Sequence, residues 1–316
     1  MDGQMEKQNN SMVSEFILLG LTKSHELQIF FSFFFSIIYI SIVLGNFIII
    51  FVVKMDSQLH SPMYFLLANL SFIDMSLASF ATPKMIYDLI SDYKTTSYEG
   101  CMTQMFFLHL LGGSEMMLLV AMAIDRYTAI CKPLHYKNIM SDRVCFGLAL
   151  VSWTTGLVHT TSQMVFTVTL PFCGPNVVDS FFCDLPRVIK LACRDTYDLE
   201  LLVIANSGIL SLFCFIFLFI SYSIILTTVQ QYSSRGSSKA LSTLSAHITV
   251  VVCFFGPCIF IYIWPFSGVS IDKILSVFYT IFTPLLNPII YTFRNKDMKT
   301  AIRKIMTKNV SSISIF

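Results

Sequence analysis

Long apolar runs, broken by short clusters of charge, dominate the chain. Between Glu26 and Lys54 stand 27 residues without Asp, Glu, Lys or Arg. Between Arg143 and Asp179 stand 35, between Glu200 and Arg235 34, between Lys239 and Asp272 32, and between Lys273 and Arg294 20. About 20 mostly apolar residues cross the hydrocarbon core of a bilayer. Each gap therefore holds one span, and none holds two with a turn. Two further apolar stretches are each interrupted by an acid: 57–87 by Asp74, with Lys84 near its end, and 100–124 by Glu115. The pattern predicts seven helices, at roughly 27–53, 58–87, 98–131, 142–168, 198–230, 239–264 and 272–292. The expected fold is all-α, a seven-span bundle.

Composition agrees. The chain is 55% hydrophobic and 13% charged, with 30 Phe, where a soluble domain is nearer a quarter charged. Loop charges orient the bundle, because short cytoplasmic loops are rich in Lys and Arg. With the N-terminus outside, the inner face carries thirteen basic residues against four acids, and the outer face eight against thirteen. The reverse topology violates the rule, so an exterior N-terminus and a cytoplasmic C-terminus are expected. The chain then divides into an extracellular segment 1–26, the bundle 27–292 and a cytoplasmic tail 293–316. The first 26 residues are too polar for a cleavable signal, so the first span is expected to act as its own insertion signal. Asn9 opens an Asn-Asn-Ser tripeptide on the outer side, a glycosylation acceptor.

Four of the nine cysteines fall on the expected outer side: Cys101, Cys173, Cys183 and Cys193. An even set in an oxidising compartment reads as disulfides, and four cysteines allow three pairings. A bridge from Cys101, at the start of the third span, would tie the long loop before the fifth span over the bundle mouth. After the seventh span, Met298, Ala301, Ile302, Ile305 and Met306 share one helical face, with Lys and Arg on the others. That predicts a short amphipathic helix on the inner leaflet. Pro257, Pro284 and Pro288 fall inside the last two spans and predict kinks, which either pivot or only aid packing.

Asp74 and Glu115 lie midway along their spans. Ionised carboxylates there are expensive and face the bundle interior with partners. Either one acid is protonated and hydrogen-bonds Asn46 or Asn287, or a sodium ion bridges the two. Asp125 and Arg126 fall near the inner surface, about 15 Å along the helix from Glu115. They read as an interfacial anchor or as a switch, with Arg126 held by Asp125 in one state and released toward Tyr222 and Tyr291 in another.

The stretch "MAIDRYTAICKPLHY" is similar to the signature of odorant receptors, a branch of the rhodopsin-like G-protein-coupled receptors. Further stretches agree in order and spacing: "GN" at 45–46, "LHSPMYFLLANLSFIDM" at 59–75, "SY" at 221–222, "KALSTLSAH" at 239–247, "FFGP" at 254–257 and "PLLNPIIYTFRN" at 284–295. The resemblance covers nearly the whole chain. Ile124 stands where the family usually has Tyr, Phe255 where it often has Tyr, and Leu244 where it often has Cys. The resemblance implies disulfides Cys101–Cys183 and Cys173–Cys193. It implies an activation switch of Asp125, Arg126, Tyr222, Asn287, Pro288 and Tyr291, and a G-protein helix received between the third, fifth and sixth spans. It implies a stimulatory olfactory-type G protein that raises cyclic AMP, and the ciliary plasma membrane of olfactory neurons.

On the third span Cys101, Met105, Leu108, His109, Gly112 and Glu115 share a face by helical spacing. With Cys101 and Glu115 turned inward, the others line a cavity, and Gly112 and Gly113 leave room in it. Opposite them are expected Asn206, Ser207 and Leu210 from the fifth span, and Phe255, Cys258, Ile259 and Tyr262 from the sixth. Val277 and Thr280 come from the seventh. Residues 102–114 hold no acid to pair an ammonium, the outer half of the sixth span no base to hold a carboxylate, and the seventh no Lys for a retinal Schiff base. A small, neutral or weakly polar volatile fits best, with His109 either bonding it or serving as a structural histidine. No cofactor, nucleic acid or enzymatic activity is expected, since no nucleophile–base or metal-ligand constellation appears. A transporter or channel competes, because intramembrane acids mark ion paths. Against it, the two halves show no self-similarity. A receptor for a peptide or lipid also competes.

Overall fold

The apolar runs fold into seven helices. The first four are α1 (His25–Met55), α2 (Pro62–Ile90), α3 (Tyr98–Cys131) and α4 (Asp142–Thr167). The next, α5, is continuous but irregular: Tyr197–Val203, a π turn at Ile204–Ile209, then Leu210–Tyr232. After it comes α6 (Ser237–Ile263). The seventh, α7, runs through Ile271–Val277, a second π turn at Phe278–Phe282, and Thr283–Phe293. This computed structural model describes residues 13–232, 237–263, 271–293 and 295–313. Asn9 lies outside the described residues, as does the side chain of Tyr291. Among the described residues, six helices are long and apolar enough to cross a membrane, and α6 adds a shorter apolar segment, His247–Ile263.

Each helix is apolar all round and divides its faces by burial. In α1, Phe35, Ile38, Ile42, Asn46 and Ile49 point inward, three or four residues apart as one face of a helix requires. Phe33, Ile37, Ile40, Leu44 and Phe47 are exposed. Large apolar side chains left outside a folded chain suit lipid rather than water. The most interior helix is α3, which packs against α2, α4 and α5.

A small sheet closes one end of the bundle. The first strand, β1 (Glu15–Leu18), pairs antiparallel with β2 (Thr95–Ser97), Phe16 opposite Thr96. It pairs parallel with β3 (Val177–Val178) on the long loop. Strand alternation buries Phe16 and Leu18 completely and leaves Glu15 exposed. Phe16 meets Phe172 edge-on at 5.4 Å. In sequence "FILLGL" is only an apolar segment too short to cross a membrane; its place is in this sheet. Two disulfides hold the loop, Cys101–Cys183 to the start of α3 and Cys173–Cys193 within the loop itself.

At the other end lies α8 (Lys296–Ile313). Asn295 caps it, its Oδ1 accepting from the backbone N–H of Asp297 and Met298. Met298 and Ala301 are buried against the bundle, and Ile302 and Ile305 are partly so. Tyr64 of α2 donates to Asn295 Oδ1 at 3.1 Å, fixing the angle at which α8 departs.

Candidate ligand cavity and switch

A narrow cavity opens among α2 to α7, under the disulfide-held loop. Leu108, His109, Gly112 and Gly113 of α3 border it, with Ser207 of α5 and Cys258 and Tyr262 of α6. All of these were expected at the cavity from the sequence. Others expected there stand behind the wall. Met105 is fully buried and gives its carbonyl oxygen to His109 Nδ1 at 2.9 Å. Asn206 donates to His159 O and Ser162 Oγ, at 3.1 and 2.6 Å, and so joins α5 to α4. Phe255 packs between Phe215 and Phe254. Thr280 donates to the Ser276 carbonyl, 2.6 Å away. Leu210, Ile259 and Val277 pack in or against the apolar core and do not border the cavity.

Sequence reasoning missed Leu77, Met116, His159, Phe182, Ser211, Phe254 and Tyr279 on the cavity wall. Several of these have a physical source. Ser211 follows Ser207 by one turn on the same face, and Tyr279 lies within the second π turn, Phe278–Phe282. Phe182 comes with its neighbour Cys183, which the bridge to Cys101 draws over the bundle; that signal was legible in the cysteine pairing. His159 reaches the wall because α4 presses against α3. Its ring stacks on that of His109 with centroids 6.0 Å apart.

Gly112 faces open space. A Cβ built there meets no atom within 4 Å. Gly112→Ala therefore keeps wild-type surface levels and takes a methyl group's volume from the cavity. Affinity for the bulkiest ligands should fall about tenfold or more, while smaller ligands keep theirs; binding curves over a size-graded ligand series check this.

Deeper in the bundle, Asn287 Nδ2 donates to Asp74 Oδ2 at 2.8 Å. Asn46 Nδ2 donates to Ile42 O at 3.0 Å and to Pro284 O at 3.1 Å. The second bond has a clear cause. Pro288 has no N–H, so the carbonyl four residues earlier loses its helical partner, and Asn46 of the neighbouring helix supplies one. Gly45 permits the approach, since a Cβ there would lie 3.0 Å from Pro288 Cβ. Asp74 Oδ1, both Glu115 oxygens, Asn46 Oδ1 and Asn287 Oδ1 have no protein partner, and neither does Ser71 Oγ, one turn before Asp74. No group of three or more His, Cys, Asp or Glu side chains able to hold a metal occurs among the described residues.

At the inner end of α3, Asp125 accepts from Tyr136 Oη at 2.7 Å. The partner expected from sequence, Arg126, instead contacts Met63 Sδ on α2. Tyr136 lies in the loop after α3, where burial and the Asp125 carboxylate push its phenol well above the usual range. At the same end, the rings of Tyr222 on α5 and His247 on α6 stand 6.4 Å apart.

In the loop roof, Arg187 pairs with Asp272 at 2.6 Å. Nearby Asp184 is buried, with Oδ1 unpartnered. Burial pushes its carboxyl from the ordinary 3.8 up to about 7; Arg187 opposes this and Asp272 adds to it. A raised carboxyl stabilises the fold fully below its unfolded value, and that contribution is lost as pH rises through the folded one. Melting of the purified protein should therefore shift to lower temperature between about pH 4 and about pH 7, and Asp184→Asn should remove most of that slope. An unchanged slope in the variant contradicts the assignment.

An apolar helical bundle with a cavity under one capped end and a half-buried arginine at the other has the build of a multi-pass membrane protein. The chain belongs to the olfactory receptor family, whose sequence profile matches residues 35–309. It is 68% identical to human olfactory receptor 4K13 over 300 residues, 95% of this chain and 99% of that one. Human olfactory receptors 4K3 and 4K15 are 66% and 62% identical, over 94% and 96% of this chain and 94% of each relative.

Proposed function

We propose that this receptor binds a small, mostly apolar volatile within the cavity and activates a stimulatory heterotrimeric G protein of the olfactory type, raising cyclic AMP. Its N-terminus faces the exterior, its C-terminus the cytoplasm, and its site of action is the ciliary plasma membrane of olfactory neurons. One observation carries the reading: the cavity is walled mainly by apolar side chains, with a few hydrogen-bonding groups set among them, the usual make-up of a small-molecule site. Arg126, with Tyr222 and Tyr291, is the switch, and Asn287 and Pro288 join it to the deeper polar cluster. The Cys101–Cys183 bridge holds the roof above the ligand.

The test is a cyclic AMP readout of the surface-expressed receptor against a volatile panel, with Tyr262→Ala as a cavity control. A volatile that raises cyclic AMP in wild type and not in Tyr262→Ala supports the reading. Silence across the panel, with the receptor shown at the surface, sinks it. Sodium is assigned to the oxygen cluster around Asp74 and Glu115, with Asn46 as a further donor. Replacing sodium with a large organic cation should shift agonist affinity in wild type and leave Asp74→Asn unmoved. Equal shifts in both remove sodium from that cluster.

A further inference from the structure

The polar groups of the cavity differ in what they can still bond. His109 Nδ1 lies 2.9 Å from the Met105 carbonyl oxygen. A carbonyl only accepts, so Nδ1 carries the ring hydrogen. No carboxylate bonds this imidazole, and a buried cation without a partner is costly. The ring is therefore neutral, and its other nitrogen keeps a bare lone pair. That atom, Nε2, is buried without a protein partner, on a residue that borders the cavity. Tyr262 packs edge-on against the ring, with centroids 6.2 Å apart, and leaves Nε2 unbonded.

Ser207 supplies the opposite kind of group. Its Oγ accepts from Gln163 Nε2 at 2.8 Å, which leaves its hydroxyl hydrogen to donate. The cavity thus shows a fixed acceptor on α3 and a donor on α5, in walls that are otherwise mostly apolar.

We infer that the cavity selects small apolar molecules bearing a hydroxyl group, alcohols or phenols, whose O–H donates to His109 Nε2. The inference rests on the odorant reading and narrows it to a ligand class. Ser207 offers a donor to the lone pairs of such a hydroxyl. A ketone, aldehyde, ester or ether carries lone pairs only. It fills the same space, takes Ser207 as a donor, and leaves Nε2 unpaired as before. The hydroxyl gains a hydrogen bond to a buried acceptor that otherwise has none, so compounds with lone pairs only bind about tenfold or more weaker. Sites built to bond a hydroxyl reject analogues without one for this reason.

The experiment uses the full receptor and matched probes: small apolar alcohols and phenols, each with its methyl ether and its carbonyl analogue. Cyclic AMP is read in cells. The ligand-induced melting shift of the detergent-purified receptor reads binding without the G protein. In wild type the hydroxyl compounds are the agonists, and each ether or carbonyl partner is weaker by about tenfold or more. His109→Phe keeps a ring and removes the acceptor; it should bring the three members of each set to similar potency. His109→Gln restores an acceptor at similar reach and should recover the preference for the hydroxyl. Carbonyl compounds or ethers that match the alcohols in wild type overturn the inference and leave the odorant reading standing. So does a hydroxyl preference that survives in His109→Phe. A surface-expressed receptor that neither responds to nor is stabilised by any probe overturns both.

Discussion

Gly156→Ala should all but abolish delivery of this receptor to the cell surface. A Cβ at Gly156 would sit 2.1 Å from Ser114 Oγ, 2.4 Å from the Leu110 carbonyl oxygen and 2.8 Å from Ser114 N. Two of these atoms are backbone of α3 and cannot move as a side-chain end can. Ser114 Oγ is itself held, donating to Leu110 O at 2.8 Å. One methyl group therefore forces α4 away from α3, the most interior helix. Overpacking of a tight core costs about 1–3 kcal/mol, and occasionally more. The clash with backbone on two sides places this substitution at the upper end. Small residues at helix crossings matter more in lipid, where close packing replaces the hydrophobic effect as the force between helices. Separation would also draw His159 away from the cavity and strain the bonds from Asn206 to His159 and Ser162. Gly147 on the same helix is the control, since a Cβ there meets nothing within 4 Å; Gly147→Ala should reach the surface normally. Flow cytometry of an epitope-tagged receptor reads both variants. Wild-type surface levels of Gly156→Ala would falsify the α3–α4 crossing described here.

Arg126→Ala should leave ligand binding intact and remove the cyclic AMP response. The guanidinium stands far from the cavity and contacts Met63, so its loss disturbs no wall residue. It is not locked by Asp125, whose carboxylate accepts from Tyr136. A guanidinium that leans on a thioether gives up little of that contact when it turns toward the cytoplasm. In the proposed mechanism this turn opens the inner face to the G protein. Without the side chain, agonist-evoked cyclic AMP should fall at least about tenfold, the effect of some 1.4 kcal/mol on a two-state equilibrium. The agonist-induced melting shift of the purified variant should match wild type. Retained signalling removes Arg126 from the switch, and a lost melting shift shows that the substitution acted on the fold instead.

The midplane cluster shows how a sequence feature and a structural one depend on each other. Pro288 was legible as a helix breaker, and Asn46 as a polar residue in an apolar span. That Asn46 bonds the carbonyl Pro288 leaves free could not be read from either. It needs α1 beside α7 and a glycine at 45. The same holds at the inner surface. The Asp125–Arg126 pair was visible side by side, yet neighbours on a helix point in different directions, and a loop tyrosine reaches the carboxylate first. The strand Glu15–Leu18 was visible only as an apolar fragment, since its two partner strands come from residues about 80 and 160 positions away.

The chain by itself determined the number, limits and order of the helices, because a charge is too costly to leave in hydrocarbon and so marks where each span ends. It also determined which residues of one helix share a face, since the helical period fixes that without reference to neighbours. Only the tertiary structure decided which face meets the cavity. A period carries no information about the helix opposite. Thus Ser207 and Ser211 look inward while Asn206 ties α5 to α4, Tyr279 reaches the cavity while Thr280 bonds its own helix, and His159 joins the wall because a glycine lets α4 close upon α3.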